Sequence, residues 1–283
     1  MTLKGIQRIL DAVTDLPSMP ASGIRMLTLL ENPEASVDAI EDILRQDPGL
    51  TAMVLKLANS AYFGIPTKVG SPRQAVILLG LRRLVQLVIA SCVSAIMGRP
   101  VPGYDLTPGD LWRHSIAVAI AAEALVKNKT GGELEDVFTA ALLHDAGKIV
   151  LGRFVQEELP DIKRITAGGV PFVLAENMVL GTDHAVIGAT ILESWAFPPD
   201  VVQAARWHHD PEAAGARPIL NDIVHLADQM CQKNAGGRYL DNTPEELSPT
   251  VLWRLGLSEK QLEAVTGKVA DWVEELSDAL TFN

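Results

Sequence analysis

The sequence predicts an all-α protein built as a two-part helical bundle, and three observations carry that expectation. Apolar residues make up 48% of the 283 residues but aromatics only 5%, and the dominant Ala, Leu and Val favour close-packed helices over sandwiches or barrels. Apolar positions recur at helical spacing, as in Ile6, Ile9, Leu10 and Val13. Between the two parts, Gly98-Arg99-Pro100-Val101-Pro102-Gly103 places two prolines and two glycines in six residues, which excludes continued helix. The expected division is residues 1–100, residues 101–240, and an extension, 241–283, packed on the core.

Each element has a local reason. Leu16-Pro17-Ser18-Met19-Pro20 ends the first helix, and a second runs from residue 21 or 22 to Leu30, stopped by Asn32-Pro33. Ser36 opens a short helix to Gln46, and Asp47-Pro48 caps the next, which bears Leu50, Met53, Val54 and Leu57 on one face. Ser71-Pro72 starts a helix that ends at Leu79-Gly80, and Leu81 to Met97 forms a long apolar one. Thr107-Pro108-Gly109-Asp110 is a capping signature for a helix carrying Asp110 and His114 on one face. After a polar loop, Lys127 to Gly132, a helix is expected to hold His144, Asp145 and Lys148, with His144 and Lys148 one turn apart and Asp145 about 100° round from His144. Thr182-Asp183 caps a helix beginning at His184, Trp207-His208-His209-Asp210-Pro211 ends the one begun near Asp200, and Ile219 to Cys231 carries His225 and Asp228 three apart. Pro249 to Leu255 and a helix opened by Ser258-x-x-Gln261, with Leu262, Val265, Val269, Trp272, Val273, Leu276 and Leu280 on one face, complete the chain.

Charge narrows the function. The net charge is −11, and residues 241–283 hold nine acids against three bases. That distribution argues against general nucleic-acid binding, which needs a basic stripe to neutralise phosphates. No apolar run reaches the roughly 20 residues of a membrane helix, and no export signal opens the chain, so the expected location is the cytoplasm, with no membrane partner. Cys92 and Cys231 lack metal-finger or redox spacing and read as buried thiols. No Gly-rich phosphate loop is present.

All six histidines lie between residues 114 and 225, and several have an acid adjacent or one turn away. His144-Asp145 sits in an apolar strip, where a buried imidazole and carboxylate need a compensating partner. Neutral imidazoles and carboxylates without thiolate form the donor set of a hydrolytic Zn, Mn, Fe or Ni site rather than a zinc finger. The alternative is a vestigial site whose side chains hydrogen-bond one another.

Leu16-Pro17-x-x-Pro20, Asn32-Pro33, Asp47-Pro48-Gly49-Leu50, Leu55-x-x-Ala58-Asn59-Ser60-Ala61-Tyr62-Phe63 and Ala75-x-x-x-Leu79-Gly80 together resemble the bacterial HDOD family, helical signalling output domains related to HD phosphohydrolases. The resemblance covers at least residues 6–210 and implies an HD-type helical subdomain in the second part. His114, His144-Asp145 and Asp228 resemble the ligand set of the HD superfamily, and His184 with His208-His209 resembles the larger set of the HD-GYP phosphodiesterases. The resemblance implies two divalent ions, Fe, Mn, Zn or Ni, bridged by Asp145, with Asp110 standing where that branch has a glutamate ligand and Lys148 contacting a substrate phosphate. No Gly-Tyr-Pro segment follows His209; Asp210-Pro211-Glu212-Ala213-Ala214-Gly215 stands there instead. Two functions remain open: a signalling output module with a structural or sensing metal site, and a metal-dependent phosphohydrolase acting on a nucleotide or cyclic dinucleotide. The expected partners are accordingly a signalling protein or a nucleotide ligand.

Overall fold

Cap chemistry sets most helix starts. In the computed structural model, which describes residues 3–16, 19–30, 36–130, 134, 136–215, 219–234, 247–258, 260–267, 269 and 272, the helices are α1 (Leu3–Thr14), α2 (Ala21–Leu30), α3 (Val37–Arg45), α4 (Pro48–Ala58), α5 (Pro72–Leu79), α6 (Leu81–Met97), α7 (Asp110–Thr130), α8 (Val137–Leu143), α9 (Lys148–Glu157), α10 (Leu159–Thr166), α11 (Phe172–Leu180), α12 (His184–Ser194), α13 (Pro199–Trp207), α14 (Ile219–Asn234) and α15 (Pro249–Leu255). Among the described residues there is no strand, only an isolated bridge between Val101 and Leu106. No described helix is long and apolar enough to cross a membrane.

The chain divides into two compact units, one of residues 18–96 and 270–283, the other of residues 1–17 and 97–269. Helix α1 thus belongs with the second half of the chain rather than with the residues that follow it. In the smaller unit, Ser36, Asp47 and Ser71 accept from the backbone amides of Ala39, Leu50 and Gln74, each cap contributing about 1 kcal/mol. Gly80, at φ 82°, ends α5 in a conformation that side chains disfavour. The Asn59 side chain grips Val69 at both backbone groups, accepting from its N–H at 2.8 Å and donating to its carbonyl at 2.9 Å. That clamp gives the Ala58-Asn59-Ser60 stretch its physical purpose: it fixes the long connection between α4 and α5. Helix α6 supplies much of this unit's buried apolar surface through Leu84, Val85, Leu87, Val88 and Ile89.

The larger unit surrounds α8, whose seven residues are all buried. Helices α7, α13 and α14 pack against it, and α12 packs on α13 and α9. Glycines set the closest approaches. A Cβ at Gly147 would lie 1.9 Å from the carbonyl oxygen of His184, and one at Gly103 would lie 2.1 Å from that of Gly152. In the C-terminal extension Leu262, Val265 and Val269 are buried, as the apolar face of residues 260–267 and 269 predicts. Trp272 meets the ring of Tyr62 edge-on at 5.7 Å; Val273, Leu276 and Leu280 lie outside the described residues.

Helix across residues 140–151 is not continuous. Helix α8 stops at Leu143, and α9 starts at Lys148. The turn between them is bonded i to i+3, with Ala146 N–H to the Leu143 carbonyl and Lys148 N–H to the Asp145 carbonyl, both 3.0 Å. The turn lets Gly147 press against the start of α12, which a straight helix carrying a side chain there would block.

Candidate metal centre

His144 and Asp145 occupy that turn at 0% and 1% exposure, and four other segments bring donors to them. Helix α7 brings His114, the first residue of α12 is His184, the end of α13 brings His208 and His209, and α14 brings Asp228. Asp183 caps α12 by accepting from Val186 N–H at 2.9 Å, which fixes where His184 falls.

The two oxygens of Asp145 face different histidines. Oδ2 lies 3.5 Å from His114 Nε2 and 3.4 Å from His144 Nε2; Oδ1 lies 3.5 Å from His184 Nε2 and 3.7 Å from His208 Nε2. Asp228 Oδ1 closes the first group, 3.0 Å from His114 Nε2 and 3.5 Å from His144 Nε2. His209 closes the second, its Nε2 2.8 Å from that of His184. Among the described residues, three sets of donors converge within 4.8 Å: His184 with His208 and His209, His114 with His144 and Asp145, and His144 with His208 and Asp228.

Hydrogen bonds on the far side of the rings settle which nitrogen points inward. His144 Nδ1 donates to the Ala141 carbonyl and His208 Nδ1 to the Ala205 carbonyl, each at 2.7 Å, which turns Nε2 of both rings toward the cluster. His144 Nε2, His208 Nε2, Asp145 Oδ1 and Asp228 Oδ1 are buried without a hydrogen bond among the described residues. Native proteins leave few such atoms unsatisfied, and four of them gathered in one cluster of donors fit divalent cations better than mutual hydrogen bonding.

Charge in the metal-free cluster is uneven: burial disfavours the His184 imidazolium, but Glu176 and Asp145 outweigh it and raise the ring. Burial disfavours the His144 imidazolium, but Asp145 and Asp228 outweigh it and raise the ring to about 10. Burial and the neighbouring His144 push His208 down to about 3, and burial with His208 and His184 holds His209 well below the usual range. Burial would raise Asp145 and Asp228; Lys148 and His144 hold the first well below its usual range, and the adjoining His114 and His144 rings hold the second there.

Seven of the expected ligands, His114, His144, Asp145, His184, His208, His209 and Asp228, are thus brought together. Asp110 is not among them. Its Oδ2 accepts from Thr107 N–H at 2.7 Å and from the Thr107 hydroxyl, and its Oδ1 takes Arg113 at 2.7 Å, so its carboxylate is spent at the start of α7. An aspartate in the first turn reaches the free amides behind it more readily than a centre one turn ahead. Lys148 Nζ lies 2.6 Å from Asp145 Oδ2, a position that offsets the shared carboxylate. His225 supports the cluster indirectly, with Nδ1 2.6 Å from the His208 carbonyl oxygen.

Sequence reasoning missed Glu176 and Tyr104. Glu176, on α11, is fully buried, and its Oε2 lies 2.8 Å from His184 Nδ1. A lone acid in the apolar run Phe172-Val173-Leu174-Ala175-Glu176 was the available signal, since a carboxylate there must find a cationic or donor partner.

Comparison with known proteins identifies the family of the chain. The HDOD domain family model matches residues 16–211. The chain is similar to a crystal structure of a candidate phosphohydrolase from Shewanella amazonensis, 29% identical, with a TM-score of 0.75, covering 96% of this chain and 98% of that one. It is similar also to an HDOD domain protein of unknown function from Geobacter sulfurreducens, 25% identical, TM-score 0.73, covering 97% and 98%. An uncharacterised protein of Treponema pallidum is 29% identical over 256 residues, which are 89% of this chain; the chain spans about half, 48%, of that relative's length.

Proposed function

Because this chain belongs to the HDOD family, we propose that it is a regulatory protein of bacterial signal transduction whose larger unit holds two divalent metal ions. The observation that supports this most is Asp145, whose two oxygens face separate histidine groups as a bridging carboxylate does. His114, His144 and Asp228 would hold one ion, and His184, His208 and His209 the other, from the set Fe, Mn, Zn and Ni. The signal passes to a partner protein or comes from a nucleotide ligand.

A second reading, that the centre is a metal-dependent phosphohydrolase, draws support from an open cleft of about 390 Å³ beside it. His209, Asp210, Glu212, His225, Gln229 and Ser248 line this cleft. Bound ions would supply Lewis acidity and an activated water. The chain's own contribution is positional. Apolar α8 excludes bulk water from one side, Lys148 offsets the charge of Asp145, and the half-buried His209 marks where a phosphoester enters.

Metal analysis of the purified protein tests the shared premise: two equivalents are expected, lost in His144→Ala with Asp145→Ala, and stoichiometric metal surviving that change would place the site elsewhere. Hydrolysis separates the readings. Protein loaded with Mn or Fe, assayed on linear and cyclic nucleotides, must exceed the Asp145→Ala background for the enzyme reading to stand.

A further inference from the structure

The two halves of the cluster are not equivalent, and the difference lies behind the rings. His144 and His208 lean on neutral backbone carbonyls. His184 leans on a carboxylate. Glu176 Oε2 accepts from the ring at Nδ1, 2.8 Å, and also from the backbone N–H of the same residue, 3.0 Å. One oxygen therefore grips His184 at two points. It satisfies a free amide at the start of α12 and fixes the ring so that Nε2 faces Asp145 Oδ1 and His209.

The other oxygen is held as well. Tyr104, fully buried, donates its hydroxyl to Glu176 Oε1 at 2.5 Å. Tyr104 reaches that position because the segment before α7 lies against α9: Gly103 meets the Gly152 carbonyl, and Gly152 leaves room for Val101. Lys148 Nζ sits 5.5 Å from the centre of the Tyr104 ring, so the same tyrosine borders both the His184 support and the Asp145 ion pair.

We infer that Glu176 and Tyr104 are positioning residues that strengthen the metal position of His184, His208 and His209 selectively. The inference rests on the two-metal reading above. A carboxylate behind Nδ1 makes Nε2 a more basic donor and locks its direction, and losing such a partner typically lowers metal affinity 10- to 100-fold. Glu176→Gln keeps the size and leaves an oxygen for His184 while removing the charge. Tyr104→Phe removes only the hydroxyl that orients the carboxylate.

Titration of metal-free full-length protein with Co²⁺, followed by visible absorption and by competition with a chelator, reads the two positions separately. The expected result is two equivalents for wild type. Glu176→Gln should weaken one equivalent by about 10- to 100-fold, with a changed spectrum for that equivalent alone. Tyr104→Phe should weaken the same equivalent less. Wild-type affinities in both variants overturn the inference, as does an equal weakening of both equivalents, which would mark a general structural role. If Glu176→Gln does not fold, Tyr104→Phe alone decides, with the same two overturning results. A wild type that binds no metal overturns the two-metal reading and the inference together, an outcome distinct from two ions bound indifferently to Glu176.

Discussion

Lys148 Nζ lies 2.6 Å from Asp145 Oδ2, with the two side chains 4% and 1% exposed, so the shared carboxylate has a fixed cation before any metal arrives. Removing one partner of a buried ion pair leaves the other charge uncompensated, at about 3–5 kcal/mol. Lys148→Met should lower the metal-free protein's stability to urea by about that amount. Saturating Mn²⁺ should narrow the gap to wild type, since the ion takes over part of the lysine's charge. A gap of equal size with and without Mn²⁺ would show that Lys148 serves packing alone.

Gly147 carries the approach of the His144-Asp145 turn to α12. A Cβ there would sit 1.9 Å from the His184 carbonyl oxygen and 2.5 Å from the Gly188 nitrogen, both backbone atoms that no side-chain rotation can move. Gly147→Ala should therefore cost about 3 kcal/mol or more in thermal or urea unfolding, at the upper end of overpacking effects. It should also lower bound metal below two equivalents, because α12 carries His184. Full metal content with normal stability would disprove the close contact.

Asp110 separates capping from ligation. Asp110→Asn keeps an acceptor for the Thr107 amide but loses the Arg113 charge, and should cost about 1 kcal/mol. Metal stoichiometry should stay at the wild-type value. A variant that lost an ion would return Asp110 to the ligand set.

Cys92 gives the smaller unit an alkaline dependence. Burial raises its thiol to about 11, with a hydrogen bond from Ser22 opposing and Asp47 adding to the shift. An unfolded thiol titrates near 8.5, so below that pH both states keep the proton and stability is unaffected. Between about pH 8.5 and 11 the unfolded state releases a proton that the native state keeps, and stability falls by up to about 1.4 kcal/mol per pH unit. Urea unfolding at pH 8 and pH 10 checks this: Cys92→Ala should lose less stability over the interval than wild type.

Helix starts were legible because their chemistry is local. Ser36, Asp47, Ser71 and Asp183 each sit next to the amides they satisfy, and the structure finds every one in place. The histidines were legible as donors because they are few and lie beside acids. The break at His144 was not, since the residues from Ala140 to Leu151 carry a helical pattern and what interrupts it is contact with α12, more than thirty residues on. Asp110 misled for a related reason: an acid in a first turn fits a helix start and a metal equally well until its neighbours are seen. Tyr104 and Glu176 are seventy-two residues apart, and only the packing of Gly103 on Gly152 discloses that they meet.

The cluster gathers its donors from nearly the whole span between α7 and α14. Sites of that kind cannot assemble piecemeal, because none of the donor groups exists as a group until the distant segments have met. Ion uptake would thus report completion of the unit, and by mass action an ion at a hundred times its dissociation constant adds about 2.7 kcal/mol to the folded state. An ion bound there would tie the amount of folded protein to the supply of that ion.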